Sequence, residues 1–317
     1  MSRRVLITGG AGFVGQWLSR ALLARGFTVF AGSLDGIPGR NVLTPAESNG
    51  VTWLPLDVLA DESIRAAIAA SQPEWVVHLA GIAFAPEANA SPVRAFETNA
   101  LGALRLLTEL ASSDARSARV LVVGSAEEYG AQDPSVYPIG ERAALRPLTA
   151  YAAAKAAQEV IGLQVHRSTG MHVVCTRSFN HSGVGHADSY LLPTLVRRVR
   201  ELPEHGAMLR IGNGDVVRDY THVADVVNAY VLLLESGVPG EVYNVCSGSG
   251  VRVRELAERV LNRTGRTAEI STDEQLLRPI DVPILVGDNT KLRAATGWVP
   301  AHSIDDIIDD LIHAASH

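Results

Sequence analysis

The chain has 317 residues, of which 47% are hydrophobic and 20% charged, and its formal net charge is −6 at pH 7. This composition allows a large core and argues against a disordered chain or a nucleic-acid binder, since the first is poor in apolar residues and the second is usually basic. No apolar run is long enough to cross a membrane and the N-terminus enters a strand directly, so we expect a cytoplasmic protein without membrane contact.

Short apolar runs alternate with helix-like segments through the first half of the chain. In chain order they are a strand at 5–7, a helix at 12–25, strands at 27–31 and 51–56, a helix at 61–71, a strand at 75–79, a long helix at 92–112, a strand at 120–123, a helix around Tyr151 and a strand at 173–176. Continuous apolar strands that alternate with helices predict an α/β fold with a doubly wound parallel sheet of the Rossmann type.

The pattern changes after Phe179, where loops rich in Gly, His and Pro interrupt shorter helices. A strand at 242–245 is predicted to return to the sheet, and an amphipathic helix is expected near 304–312. We therefore predict a dinucleotide-binding domain at 1–178, to which 219–246 returns, and a smaller mixed C-terminal substrate domain from 179–218 and 247–317. The cleft is expected at the carboxyl ends of the strands.

Three glycines spaced by three residues follow the first predicted strand, in the run Thr8–Gly15. The first permits a tight turn, the second lets the backbone approach a pyrophosphate, and the third lets helix and strand pack closely. The N-terminus of the following helix offers amide donors to the phosphates, so the motif predicts NADP or NAD. The residues assigned to the cofactor here are Gly9, Gly12, Phe13, Val14 and Gly15.

The residue that ends the second strand meets the adenosine ribose in Rossmann folds, where an acidic side chain favours NAD over NADP. We place Ser33 at this position, and its hydroxyl is able to donate to a 2′-phosphate. Asp35 lies two residues on and Arg40 further along, so the signal is mixed and leans towards NADP. Asp57, with Val58 beside it, ends the third strand and either meets the adenine or caps a turn.

Tyr151 and Lys155 lie four residues apart in a run of helix formers, so they share one helix face. A free phenol titrates near pH ~10 and is a poor acid–base catalyst at neutral pH. A nearby ammonium favours the phenolate, so we expect Lys155 to lower the pKa of Tyr151. This spacing also occurs on ordinary solvated helices, and it is the glycine loop together with Ser125, after the fifth strand, that makes the pair a catalytic candidate.

These motifs resemble those of extended short-chain dehydrogenase/reductases that act on nucleotide sugars. The matching segments span nearly the whole chain and are Thr8–Gly15, His78–Gly81, Asn99, Gly124–Gly130, Tyr151–Lys155, Arg177–Asn180, Val217–Val223, Tyr243–Gly248 and Arg278–Trp298. Within this branch, the run from Phe179 to Tyr190 resembles GDP-4-keto-6-deoxy-D-mannose reductases. Two departures are Ser178, where most relatives have Pro, and Gly124, where many have a second hydroxyl residue.

The resemblance implies that a hydride passes from a nicotinamide to C4 of GDP-4-keto-6-deoxy-D-mannose and that a proton passes to the oxygen, which gives GDP-D-rhamnose. In this scheme Tyr151 is the acid, Lys155 holds the nicotinamide ribose, and Ser125 hydrogen-bonds the carbonyl. The resemblance also places Leu79 and Ala80 beside the cofactor.

Glu127 keeps other reactions open. By resemblance, the equivalent glutamate of GDP-mannose 4,6-dehydratases removes a proton from sugar C5, but reductases of this group also carry a glutamate here. Alternatively, Glu127 is a buried hydrogen-bond acceptor that orients a loop. A GDP-mannose 4,6-dehydratase and a nucleotide-sugar 4-epimerase or dehydratase are therefore the alternatives to the reductase.

The resemblance also assigns the substrate contacts. Asn180 and Arg218 are expected to bind the sugar nucleotide, and Arg278 to line its nucleoside end. Arg218 alternatively pairs with one of its aspartate neighbours in sequence, Asp215 or Asp219. His78 is expected to be structural, and Asn99 is expected to fix a helix near the active site.

Relatives dimerise through two helices per subunit, and the helices at 92–112 and around Tyr151 are rich in Ala and Leu, so a homodimer is expected. The ten histidines show no metal-ligand spacing, so no metal is expected. The expected partners are thus a GDP-sugar and a second copy of the chain.

Overall fold

The computed structural model describes residues 3–39, 42–203 and 207–315. Its centre is a seven-stranded parallel sheet in the order β3-β2-β1-β4-β5-β6-β10. The strands are β1 (Arg4–Thr8), β2 (Thr28–Ser33), β3 (Val51–Pro55), β4 (Trp75–His78), β5 (Arg119–Ser125), β6 (Val173–Ser178) and β10 (Val242–Val245). All six strands predicted in the first half of the chain, and the returning strand, are confirmed.

Helices cover both faces of this sheet, which explains the continuous apolar strands. One face packs against α1 (Phe13–Ala24), α9 (Val223–Ser236) and α11 (Thr290–Thr296). The other packs against α3 (Asp61–Ser71), α6 (Gly102–Ala111) and α7 (Ala150–Thr169). Leu6 and Ile7, neighbours on β1, point into opposite clusters and are both fully buried. The doubly wound Rossmann architecture is therefore confirmed.

The remaining helical segments of this half differ from the prediction in detail. The long helix predicted at 92–112 is helical throughout, as α5 (Pro92–Ala95), a π-helical stretch (Phe96–Leu101) and α6. Two short helices were not predicted, α2 (Pro45–Asn49) and α4 (Ala85–Ala90). Each is shorter than two turns, so neither shows the apolar period that reveals a helix in sequence.

A second layer, here called the C-terminal layer, lies beyond β6 in the chain. Its sheet contains β7 (Asn180–Ser182), β9 (Val217–His222), β11 (Gly250–Arg252) and β13 (Ile284–Leu285), and β8 (Met208–Ile211) pairs with β12 (Glu269–Thr272). Its core is formed with α8 (Leu191–Arg200), α10 (Val253–Thr264) and α12 (Ile304–Ala314). The predicted boundary between residues 218 and 219 falls within β9, and the division into two domains remains a prediction.

The carboxyl ends of β1, β4 and β5 lie side by side, and they present Thr8, His78 and Ser125 at one edge of the sheet. This edge positions the candidate site. Across the described parts of the chain, no helix combines the length and apolar character needed to span a bilayer.

Candidate active site

The glycine loop forms a narrow cradle beside the end of β4. Gly9 has a left-handed backbone (φ +69°), and a Cβ there would lie 2.8 Å from the backbone nitrogen of Ala80. A Cβ on Gly15 would lie 2.6 Å from the Cα of Gly10, so both positions need glycine. Gly12 is the N-cap of α1, and within the described chain no side chain caps this end, so its first amides are available to an anion. The cradle fits a dinucleotide phosphate.

The structure groups all the residues assigned to this part of the cofactor site around the start of α1 and the end of β4. They are Gly9, Gly12, Phe13, Val14, Gly15, Leu79 and Ala80. Their contact with a dinucleotide remains a prediction, which the closeness of loop and strand supports.

Ser33 is the last residue of β2, as expected for the position that meets the adenosine ribose. Its hydroxyl donates to the Oδ1 of Asp35 at 3.3 Å and to the carbonyl of Ile37 at 3.1 Å. Asp35 also accepts the amide of Ile37 at 3.0 Å, so a carboxylate lies beside the serine at this end of the site. Arg40 lies outside the described residues.

Asp57 follows β3 and closes a turn. Its Oδ1 accepts the amide of Leu59 at 2.9 Å, and its own amide donates to the Ser63 hydroxyl at 3.0 Å. The alternative reading of Asp57 as a turn cap is therefore observed, and a contact with adenine remains a prediction. Val58 is buried, and a Cβ on Gly102 would lie 2.8 Å from its side chain. Val58 therefore packs closely against the start of α6.

The three principal catalytic candidates meet at the end of β5. Ser125 is the last residue of that strand, and Tyr151 and Lys155 lie in the first two turns of α7. The helix begins here because the Thr149 hydroxyl accepts the amide of Ala152 at 3.1 Å. Tyr151 and Lys155 are buried, at 8% and 6% exposure, so their side chains face the site and not solvent.

The electrostatics of this group differ from the expectation. Burial raises the pKa of Tyr151, Glu127 raises it further, and the nearby Ser125 hydroxyl offsets part of the rise. Burial lowers the pKa of Lys155 to about 8. The predicted lowering of the Tyr151 pKa by Lys155 is thus wrong for this arrangement, because loss of water outweighs the charge effect. The phenol stays protonated at neutral pH, which is the form that a proton donor requires.

The Lys155 ammonium is directed along β5 in this structure. It donates to the Val123 carbonyl at 3.0 Å and to the Oε1 of Gln158 at 2.9 Å. A Cβ on Gly81 would lie 3.8 Å from its Nζ, so the ammonium also borders the segment that follows β4. Lys155 therefore lies close to both β5 and the segment that follows β4.

Glu127 links this group to the C-terminal layer. It is half-buried, and burial raises its pKa, while the Arg278 and Arg218 guanidiniums lower it. Asp281 contributes a smaller upward shift of the pKa. The structure therefore brings Glu127, Arg218 and Arg278 into one electrostatic group, and their contact with a substrate remains a prediction.

Arg218 has a different partner from the two proposed from sequence. Its Nη2 donates to the Oδ1 of Asp281 at 2.6 Å, and its Nη1 donates to the Val282 carbonyl at 2.7 Å. Asp219 instead accepts three backbone amides from two loops, and Asp215 is exposed. Pairing with Asp215 or Asp219 is thus wrong. Asp219 is next to Arg218 on β9 and points to the opposite face, and Asp281 is the carboxylate that the guanidinium reaches in place of Asp215.

The other predicted residues lie around this edge. Asn180 begins β7, is exposed, and pairs in register with Tyr220 of β9. Its contact with a sugar nucleotide remains a prediction. His78 is buried, its Nδ1 lies 2.8 Å from the Thr8 hydroxyl, and burial lowers its pKa to about 3. Asn99 exchanges two hydrogen bonds with the backbone of Ile82, so both side chains support the edge as expected.

A family model described as GDP-mannose 4,6 dehydratase matches residues 6–311. The chain belongs to this family. Membership makes it an extended short-chain dehydrogenase/reductase, as the sequence motifs indicated. The catalytic roles of Ser125, Tyr151 and Lys155 remain predictions.

Relatives in this family include reductases of GDP-sugars. The GDP-6-deoxy-D-mannose reductase of Pseudomonas aeruginosa is 34% identical over 306 residues, which cover 96% of this chain and 94% of the relative. The GDP-6-deoxy-D-talose 4-dehydrogenase of Aggregatibacter actinomycetemcomitans is 26% identical and covers 93% of this chain and 91% of the relative. The structure of RMD from Pseudomonas aeruginosa complexed with NADPH superposes with a TM-score of 0.82 at 31% identity, over 98% of both chains.

Sequence reasoning missed an aromatic stack beside the start of α1. The His186 ring lies between Phe13 of the glycine loop, at 4.5 Å between centroids, and Tyr190, at 4.1 Å. Phe84 meets Tyr190 edge-on at 5.3 Å, and Tyr190 contributes to the raised pKa of Tyr151. These four rings come from three separate segments, so no spacing in the sequence announces them.

Proposed function

We propose that the chain reduces the C4 ketone of GDP-4-keto-6-deoxy-D-mannose to GDP-D-rhamnose with NADPH or NADH. The observation that carries the proposal is the meeting of Ser125, Tyr151 and Lys155 at the sheet edge beside the glycine cradle. Belonging to the family and the 34% identity to a GDP-6-deoxy-D-mannose reductase support a GDP-sugar as substrate.

Three side chains are proposed to have separate roles in the reduction of the ketone. The glycine cradle would hold the phosphates of a reduced dinucleotide, which would supply the hydride. Tyr151, protonated at neutral pH, donates its phenolic proton to the developing alkoxide at C4. The Ser125 hydroxyl donates a hydrogen bond to the same oxygen and stabilises its charge. Lys155 binds the nicotinamide ribose and, as a cation, favours the phenolate that remains after proton transfer.

The diphosphate is proposed to bind Arg218 and Arg278, because both cations face the site and a guanidinium matches phosphate oxygens with its fork of donors. Asn180 is proposed to complete this contact from β7. Asp281 holds Arg218 in place when the diphosphate is absent, so substrate binding exchanges one anionic partner for another.

A GDP-mannose 4,6-dehydratase is the second candidate, and Glu127 is the observation that favours it. Its carboxyl lies near Tyr151 and its pKa is raised by burial, which suits a base that takes and returns a proton. In a reductase the same carboxyl orients the sugar. A nucleotide-sugar 4-epimerase would use Tyr151 alone and leave Glu127 without chemistry.

The cofactor is proposed to be NADPH, with NADH as the alternative. Support for NADPH comes from the neighbour RMD, which was solved with that cofactor, and from the neutral Ser33 at the end of β2. The carboxylate of Asp35 beside Ser33 opposes a 2′-phosphate and favours NADH. The ratio of the dissociation constants of NADPH and NADH therefore shows whether Ser33 or Asp35 has the larger influence on cofactor choice.

A homodimer is proposed through the helices α5, α6 and α7. Apolar side chains are exposed on this face, including Val93 at 72%, Leu101 at 46% and Val160 at 60%. Burial of such a surface against a second copy would remove it from water. A cytoplasmic location is proposed with it, since the substrate and the nicotinamide cofactor are both cytoplasmic metabolites.

One assay separates the candidate reactions. Purified protein is incubated with GDP-4-keto-6-deoxy-D-mannose and NADPH or NADH, and nicotinamide absorbance is followed. A reductase consumes the reduced cofactor in proportion to the sugar. Formation of a 4-keto product from GDP-mannose, without added cofactor, would instead establish the dehydratase.

A further inference from the structure

A buried charged cluster lies behind the catalytic group, and the proposed reaction does not use it. Arg177 of β6 donates to both oxygens of Glu159, at 2.8 and 2.7 Å, and is 5% exposed. The same guanidinium also donates to the Tyr129 hydroxyl at 2.9 Å and to the Glu141 carbonyl at 3.0 Å. Glu128 lies beside it with one oxygen 4.0 Å from the Arg177 Nε, too far for a hydrogen bond.

Glu128 is fully buried and is bound to the catalytic strand. Its Oε1 accepts the backbone amide of Ser125 at 2.7 Å, and the Ser125 hydroxyl in turn accepts an amide of the following turn. Its Oε2 has no hydrogen-bond partner among the described residues. A Cβ on Gly124 would lie 2.5 Å from the Oε1, so the glycine at 124 leaves the space that this carboxyl occupies.

Lys155 is a buried charge that has no ion pair among the described residues. In the described residues its ammonium donates to two neutral acceptors, the Val123 carbonyl and the Gln158 side chain, and to no carboxylate. Val123 and Ser125 are two residues apart on β5, so Lys155 and Glu128 are tied to the same short stretch of strand. Glu159 accepts two hydrogen bonds from Arg177, so Glu128, which Arg177 approaches only at 4.0 Å, is the carboxylate left to balance Lys155.

We propose that Glu128 is a positioning residue of the active site, whose carboxylate fixes the backbone of Ser125 and holds Lys155 in its charged form. The proposal rests on the proposed function for its consequence, since a charged Lys155 is needed to bind the nicotinamide ribose. Gly124 is part of the same arrangement, because the absence of a side chain there lets the Glu128 carboxyl reach the amide of Ser125.

The charges around the pair give the direction of the effect. Glu128 is faced by Glu159 and Lys155 of α7 and by Arg177 of β6, while Lys155 is also faced by His78 of β4. Burial lowers the pKa of Lys155 to about 8, and Glu128 opposes that fall. Burial and Glu159 raise the pKa of Glu128. Removal of the Glu128 charge therefore lowers the Lys155 pKa further, and the lysine loses its proton at a lower pH.

Two variants separate the two roles of Glu128. Glu128→Gln keeps an oxygen for the Ser125 amide but loses the charge. We expect its kcat/KM and its NADPH affinity to decline at a pH about one unit or more below that of the wild type, as is typical for loss of a nearby charge. Glu128→Asp keeps the charge but has a shorter side chain. We therefore expect the decline of kcat/KM at high pH (the alkaline limb) to occur at the same pH as in the wild type. We expect kcat to fall about tenfold, as for one lost hydrogen bond.

Glu109→Gln is the matched control. Glu109 lies on α6 and pairs with Arg65 at 2.8 Å on the surface, so its loss should leave both the pH limb and the rate unchanged. The proposal would be overturned if kcat/KM of Glu128→Gln declined at the same high pH as kcat/KM of the wild type and of Glu109→Gln. A wild type that keeps full NADPH affinity well above pH 8 would also overturn it.

A further measurement covers the case in which the variants do not fold. NADPH is titrated into the wild type by calorimetry above pH 8, in buffers of different ionisation enthalpy. Proton uptake on binding is expected, because the ribose favours the charged lysine, and zero uptake contradicts the proposal. If the wild type binds no dinucleotide at all, it is the proposed function that fails, and the two failures are thereby distinguished.

Discussion

The central sheet and the C-terminal layer both have apolar cores, but the loops of the C-terminal layer are also joined by one buried carboxylate. In the sheet, side chains such as Leu6 and Val76 are fully buried and pack between helices. In the C-terminal layer, Asp219 of β9 ties two loops together, since it accepts the Ser247 and Gly248 amides at 2.8 and 2.9 Å and the Gly287 amide at 3.3 Å. Apolar packing is non-directional, whereas charge-assisted hydrogen bonds fix geometry. Core changes should therefore cost stability, and changes around Asp219 should cost substrate binding.

Tyr151→Phe should give the largest effect, because it removes the proton donor that lies where the two parts meet. We expect kcat to fall by about 10²–10⁴-fold, the usual contribution of a general acid. Steady-state rates with the keto sugar and NADPH measure this. Cofactor binding should persist, since the cradle is untouched, and normal turnover in this variant would refute the assignment of the acid.

Leu6→Ala tests the sheet side of the comparison. Leu6 is fully buried in the sheet, so we expect the free energy of unfolding to fall by about 2–5 kcal/mol, as for other large-to-small core changes. Urea denaturation measures it. Leu34→Ala, at a residue that is 76% exposed, is the control and should change stability by less than about 0.5 kcal/mol. Equal effects of the two changes would contradict the account of the core.

Asp219→Asn tests the C-terminal side. The amide cannot accept all the donors that the carboxylate accepts, and losing charge-assisted bonds costs about 1.5–3 kcal/mol, or about 10–100-fold. We expect this loss as a higher KM for the sugar nucleotide, because the neighbouring Arg218 is displaced, with an unchanged dissociation constant for NADPH. If the cofactor affinity fell equally, the separation between the two parts would be wrong.

Arg218→Lys should give a smaller change in the same direction. A lysine keeps the charge but not the fork of donors, so we expect KM for the sugar nucleotide to rise about 3–10-fold with kcat retained. Arg210→Lys, on β8 at an exposed position, is the control and should leave KM unchanged. An unaltered KM in Arg218→Lys would remove this residue from the diphosphate site.

Much of the sheet was predictable because its strands are short apolar runs with a helix between each pair. The bounds of α3 were predicted without error, and Ser33 and Ser125 do end their strands. The site was predictable where a local motif carries it, as in the glycine loop and in Tyr151 with Lys155.

Long-range partners could not be predicted from local patterns. Arg218 pairs with Asp281, which is 63 residues away, although two aspartates lie within three residues of it in sequence. The raised pKa of Tyr151 depends on its burial, which a helix spacing does not reveal. The Phe13–His186–Tyr190 stack was missed for the same reason, whereas α2 and α4 were missed because helices shorter than two turns show no apolar period.

The most direct test of the central claim follows the hydride itself. NADPH that carries deuterium at the transferable position of the nicotinamide is incubated with the protein and GDP-4-keto-6-deoxy-D-mannose, and the product is examined by NMR and mass spectrometry. The account predicts one deuterium per sugar, bound to C4, in a product with the rhamnose configuration. A sugar without deuterium at C4, or an unchanged keto sugar beside intact NADPH, would contradict it.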